Sequence, residues 1–278
     1  MCIRDSPWTA RLELDVARRA GASRLVRCAH HGPLRVQKPL YPEGPDVCHA
    51  IVLHPPAGIA GGDELAIDVA LGRDAHALLT TPGAGKWYRS AGPWAKQAVT
   101  LKVSRGATAE WLPQESILFD GAQAMMSTRI ELEEGAHFIG LETLCFGRRA
   151  SGERITRGRL RLSTDIWLGD RLLWRERGDL GGDSPLHASP IGLAGRSVSA
   201  TLLAAGADIP RALLDDCRTA SSAEEAALYG VTALPQLLVA RYLGDSAEAA
   251  RGWFVGLWRH LRPALVGREA APPRIWNT

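Results

Sequence analysis

From Ala10 to about Ala205, apolar and polar positions alternate with a period of two, and the alternation breaks at glycines and turn-forming pairs. RLELDVAR (Arg11 to Arg18) places Leu12, Leu14 and Val16 on one face, and ELAIDVAL (Glu64 to Leu71) does the same with Leu65, Ile67, Val69 and Leu71. AVTLKV (Ala98 to Val103), STRIELE (Ser127 to Glu133) and RGRLRLSTDIWL (Arg157 to Leu168) continue the pattern. The breaks fall at Gly72-Arg73-Asp74, Arg105-Gly106, Glu134-Gly135 and Gly169-Asp170. Strands recurring without helical segments between them predict a mainly β body, either a sandwich or a coiled sheet stack, rather than a doubly wound α/β fold.

The period changes after Ala205. Pro210 opens a short helix over Arg211 to Cys217, and QLLVARYL (Gln236 to Leu243) returns to strand. Asp245-Ser246-Ala247-Glu248 is a capping-box-like start for a helix with Trp253, Leu257, Trp258 and Leu261 on one stripe. That helix is expected to run to about Leu261 and to stop at Pro263. The tail thus reads as a small C-terminal βαβα unit. With no linker or composition shift, residues 7–278 form one domain: a β body over about 7–205 and a helical part over about 206–278.

Composition narrows the class. Of 278 residues 46% are hydrophobic, enough to offset the ordering entropy of the chain by burial. No apolar run approaches the roughly 20 residues that span a bilayer, so no membrane partner is expected. A net charge of +3 is too small to point to nucleic acid. Only Lys38, Lys86, Lys96 and Lys102 are lysines among the 33 basic residues, an arginine excess that reads as codon bias. Five Cys and no apolar leader near Met1 read as the usage of a reducing compartment, hence the cytoplasm. MCIRDS (Met1 to Ser6) looks like a translated sequencing adapter and is set aside.

The most unusual stretch is CHAIVLHPPAGIAGGDEL (Cys48 to Leu65). Cys48 and His49 are candidate soft ligands for a late transition metal, although the spacing is not that of a paired C-x-x-C zinc site, and packed core residues are the plainer reading. TTPGAGKWYRSAG (Thr80 to Gly92) imitates a phosphate loop at Gly85-Lys86 but has Thr80 where Gly is needed and Trp87 where Ser or Thr would bind magnesium. Lys86, Trp87, Tyr88 and Arg89 are instead candidates for a partner contact, since Trp, Tyr and Arg dominate interface energetics. Glu115, Asp120 and Glu176 are acidic candidates near apolar residues, although most such carboxylates are surface ion pairs. Between Arg148 and Arg177, nine Arg face four acids, a basic stretch suited to a protein partner or a solvated sheet face. No G-x-S-x-G elbow is present, and neither Cys145 nor Cys217 has a neighbouring His in the sequence.

Taken in order, QKPLYPEG (Gln37 to Gly44), CHAIVLHPPAGIAGGD (Cys48 to Asp63), LLTTPGAGKWYRS (Leu78 to Ser90), EWLPQESILFD (Glu110 to Asp120), LCFGRRASGE (Leu144 to Glu153) and the tail LRPALVGREAAPPRIWNT (Leu261 to Thr278) resemble the UreD (UreH) family of urease accessory proteins. The resemblance covers about Trp8 to Thr278. One departure is Ala57, where the family usually has Gly. The resemblance implies a superhelical β fold and a non-enzymatic maturation chaperone. Such a chaperone binds apo-urease and UreF, reaches the GTPase UreG through UreF, and passes Ni²⁺ to urease through an internal tunnel, holding no tightly bound cofactor. A conduit wants weak oxygen ligands, which favours Asp63 and Glu176 as nickel-path residues, then Glu115 and Asp120, with Cys48 and His49 secondary. The alternative is a free-standing β-rich metal-binding hydrolase, favoured if Cys145 or the carboxylates sit in a closed pocket with shifted pKa.

Overall fold

In the computed structural model, which describes residues 7–277, every second side chain of Thr9–Arg19 (β1) is turned inward: Ala10, Leu12, Leu14 and Val16 are at most 1% exposed. The segment Met1 to Ser6 lies outside the described residues. β1 pairs antiparallel with Ala22–His31 (β2), and Arg35–Val36 (β3) and Val47–Leu53 (β4) follow. The chain then coils, laying alternate strands on two facing sheets. Glu64–Leu71 (β5), Ala95–Val103 (β8), Gln123–Leu132 (β11) and Arg159–Leu168 (β13) stack in parallel on one sheet. His76–Thr80 (β6), Thr108–Trp111 (β9) and His137–Phe146 (β12) stack in parallel beside β4 on the other. The short Gly85–Trp87 (β7) and Ser116–Leu118 (β10) pair with each other, and β10 with β12.

Both stacks end antiparallel. Arg171–Gly181 (β14) closes the seven-stranded sheet, ordered β14-β13-β11-β8-β5-β1-β2. Val198–Ala205 (β15), Leu228–Leu234 (β16) and Leu237–Gly244 (β17) extend the ten-stranded sheet beyond β12, in the order β16-β17-β15-β12. The fold is thus a coiled β stack, as the alternation and the family resemblance lead one to expect. Its tail differs in detail: where the sequence reads one strand there is a hairpin, β16 and β17, joined through Pro235 and a left-handed Gln236.

Arg211–Thr219 (α1) and Ala247–Val266 (α2) cover the outer face of the ten-stranded sheet. Two cores result: one between the sheets and one beneath the helices, where Trp253, Phe254, Leu257, Trp258 and Leu261 are at most 2% exposed. Ser246 is the N-cap of α2, its hydroxyl accepting the Ala249 N–H at 3.1 Å. Pro263 does not end α2. Proline removes a single ladder bond in the last turn, the helix continues to Val266, and it closes on left-handed Gly267, whose N–H donates to the Pro263 carbonyl at 2.9 Å.

Candidate functional site

Between the sheets lies a cavity of ≈ 350 Å³. Its apolar wall includes Ile67, Val99, Met126, Trp111, Phe138 and Leu203, which project inward because they share one parity on their strands. Polar groups interrupt that wall along two facing rows. On the seven-stranded sheet, Thr128, Thr164 and Glu176 sit side by side on β11, β13 and β14. On the ten-stranded sheet, Glu142 on β12 pairs in register with Thr201 on β15, and Thr201 with Arg241 on β17. The loops carrying Ala57, Gly58 and Gly83 also line the cavity. Gly58 has no alternative there, because a Cβ would lie 2.2 Å from the Tyr88 ring.

Glu142 is the residue that the sequence reading did not single out. Burial pushes its carboxyl up to about 7, the Glu176 carboxylate adds to the rise, and Arg241 works against it. Glu176 differs in having a counter-ion, since Arg241 Nη1 donates to its Oε1 at 2.8 Å. The signal for Glu142 was a lone acid inside an otherwise apolar run, HFIGLETLCF (His137 to Phe146), a placement that is costly unless the group has a purpose. The two carboxyl groups and three threonine hydroxyls of these rows are oxygen donors suited to a hard or borderline cation held loosely, and His54, Lys86, Gln97 and Gln114 line other parts of the same cavity.

The family model described as UreD urease accessory protein matches residues 9–277. Urease accessory protein UreD of Dechloromonas aromatica is 53% identical over 274 residues, covering 98% of this chain and 95% of that protein. The protein of the same name in Pseudomonas aeruginosa (strain PAO1) is 54% identical over 272 residues, 98% of this chain and 95% of its own length. That of Azoarcus sp. (strain BH72) is 53% identical over 271 residues, 98% and 94%. The chain belongs to the UreD family of urease accessory proteins.

In this UreD-family chain the acidic candidates occupy different environments. Of the four, Glu176 alone lines the cavity. Asp63, 1% exposed, fastens the glycine-rich loop: its carboxylate accepts the Trp8 and Ala60 N–H groups, each at 2.9 Å. Glu115 is paired with Arg251. Asp120 accepts the backbone N–H groups of Thr156 and Arg157, at 2.7 and 2.9 Å. Burial opposes its ionisation, but these bonds and the Arg157 side chain hold its carboxyl at about 2.

Cys48 and His49 point to opposite faces of β4. Cys48 lies in the inter-sheet core and burial pushes its thiol up. His49 faces the helices and meets Glu43 Oε1 at 2.6 Å. Among the described residues, no three His, Cys, Asp or Glu side chains form a metal-holding group. Trp87 is core, 1% exposed, while Lys86 and Tyr88 are half-buried and Arg89 is exposed.

A second polar cluster lies under α2. Arg262, fully buried, bonds Glu43 Oε1 through Nη2 at 2.9 Å and Glu110 Oε1 through Nε at 3.0 Å. Glu110 also accepts from Trp258 Nε1 at 2.7 Å and meets His76 Nε2 at 2.6 Å. Burial works against both acids, yet these bonds hold the Glu110 carboxyl below its usual range and Glu43 at about 2. Its members are saturated by one another, so the cluster clamps the helix rather than offering free ligands. No helix is long and apolar enough to cross a membrane among the described residues.

Proposed function

We propose that this protein is a non-catalytic urease maturation chaperone of the cytoplasm that passes Ni²⁺, as cargo, to apo-urease through the cavity between its sheets. It works in complex with apo-urease and UreF, and with the GTPase UreG through UreF. Membership of the UreD family supports the urease role. The observation that carries the nickel step is Glu142: a carboxyl with no ion-pair partner among the described residues, on the cavity that Glu176 and the hydroxyls of Thr128, Thr164 and Thr201 also line. Such a set binds a partly hydrated divalent ion weakly enough to release it, whereas Cys and His ligands would retain it. Lys86, Tyr88 and Arg89 are assigned to the partner-facing surface.

The test is co-expression with urease and its accessory proteins, comparing Glu142→Gln, Glu176→Gln and Asp63→Ala. Glu142→Gln and Glu176→Gln should lower the nickel content of purified urease by several-fold while the complex still co-purifies. Asp63→Ala should act through a loosened loop, on yield or assembly. Full nickel loading in both glutamine variants would sink the proposal. The hydrolase reading draws on the same shifted carboxyl, but Cys145 lies off the cavity and burial and the Glu115 carboxylate push its thiol up to about 12, the reverse of an activated nucleophile.

A further inference from the structure

β14 is the last strand of its sheet, and its Glu176 lines the cavity. Two side-chain contacts join β14 to the β16–β17 hairpin across this edge: Arg171 to Gln236, and Arg241 to Glu176. Arg241 reaches from β17 in the ten-stranded sheet to Glu176 on β14 in the other, Nη1 to Oε1 at 2.8 Å, with its guanidinium 5.8 Å from the centre of the Trp174 ring. The Arg241 side chain is 50% exposed and that of Glu176 20% exposed, so the pair stands where the cavity meets solvent. Thr201 separates Arg241 from Glu142 in the register of that sheet. A guanidinium in this position satisfies the charge that a cation in the cavity would satisfy.

We infer that Arg241 is the gate of an opening of the cavity, at the edge between β14 and β17, and that the cargo ion itself opens it. This rests on the cavity being the cation path. A divalent ion between Glu142 and Glu176 competes with Arg241 for the Glu176 carboxylate and repels the guanidinium, whose long stem swings into solvent. The closed state resists weakly, because a half-exposed ion pair shifts an equilibrium by no more than about fivefold. Loose closure suits a device that must exclude bulk water at rest and yield to each ion.

The gate can be read without metal. A thiol placed in the cavity by Thr201→Cys is labelled by a cationic methanethiosulfonate reagent and followed peptide by peptide. Arg241→Gln should speed labelling by about fivefold, and Arg241→Lys should restore the slow rate. In a second arm the full-length protein is loaded with Ni²⁺ and mixed with a chelating dye: Arg241→Gln should release nickel faster while changing its affinity less than Glu142→Gln does. Labelling that is unchanged in Arg241→Gln overturns the gate. Faster labelling together with a nickel affinity untouched by Glu142→Gln upholds the opening and overturns the nickel path instead.

Discussion

At the residue scale, Glu142 and Ala57 each stand in an environment their chemistry resists. The raised carboxyl of Glu142 means that the folded state holds its proton more tightly than the unfolded chain does. Its contribution to stability is therefore complete below the unfolded value of 4.5 and is lost as pH rises through about 7. Glu142→Gln cannot ionise, so it should stabilise the fold at pH 8 by up to about 3 kcal/mol and change little near pH 4. Urea unfolding at the two pH values checks this, and equal effects at both would refute it. Ala57 sits at φ +62°, in the left-handed region where an L residue other than glycine is strained. Glycine is the better fit at this φ, and Ala57→Gly should raise stability by roughly 0.5–1 kcal/mol in the same assay.

At the element scale, the five strands read from alternation in the β body all belong to the seven-stranded sheet, although its antiparallel edge strands β2 and β14 escaped and β17 of the other sheet was read. β1, β5, β8, β11 and β13 belong to the seven-stranded sheet, whose outer face is solvated, so polar and apolar positions alternate cleanly. β4, β6, β9, β12 and β15 lie between that sheet and the helices. Their runs, such as HALLT with all five residues buried, show no period because both faces are covered. Glu110 was hidden for the same reason: it sits in one of these doubly covered strands. The clamp it forms with Arg262 holds α2 to the sheet. Arg262→Met should cost about 3–5 kcal/mol, because it strands Glu43 and Glu110 without their cation. The double variant with Glu110→Gln should lose less than the two single losses combined. Strict additivity in the double-mutant cycle would show that the two do not act as a unit.

At the scale of the whole molecule, the coil explains why the chemistry of the candidate site was only half legible. Glu176 stood out as an acid between two arginines, but its partners come from β12, β15 and β17, and strand pairing across two sheets is not written in local spacing. Asp63 stood out equally well and proved to hold a loop, since a carboxylate near glycines can bind backbone as readily as an ion. The way the coil ends has its own consequence. A parallel stack of strands offers at each end a rung onto which another coil could be added, and nothing in its register says where to stop. Here β2 and β14 on one sheet, and β3 and β15 on the other, run against the strands they border. A reversed strand offers a mismatched template for one more parallel rung, so these four turn-backs arrest growth at both ends. They make the coil a particle of fixed length rather than the start of a fibre, with the gate at one of the closed ends.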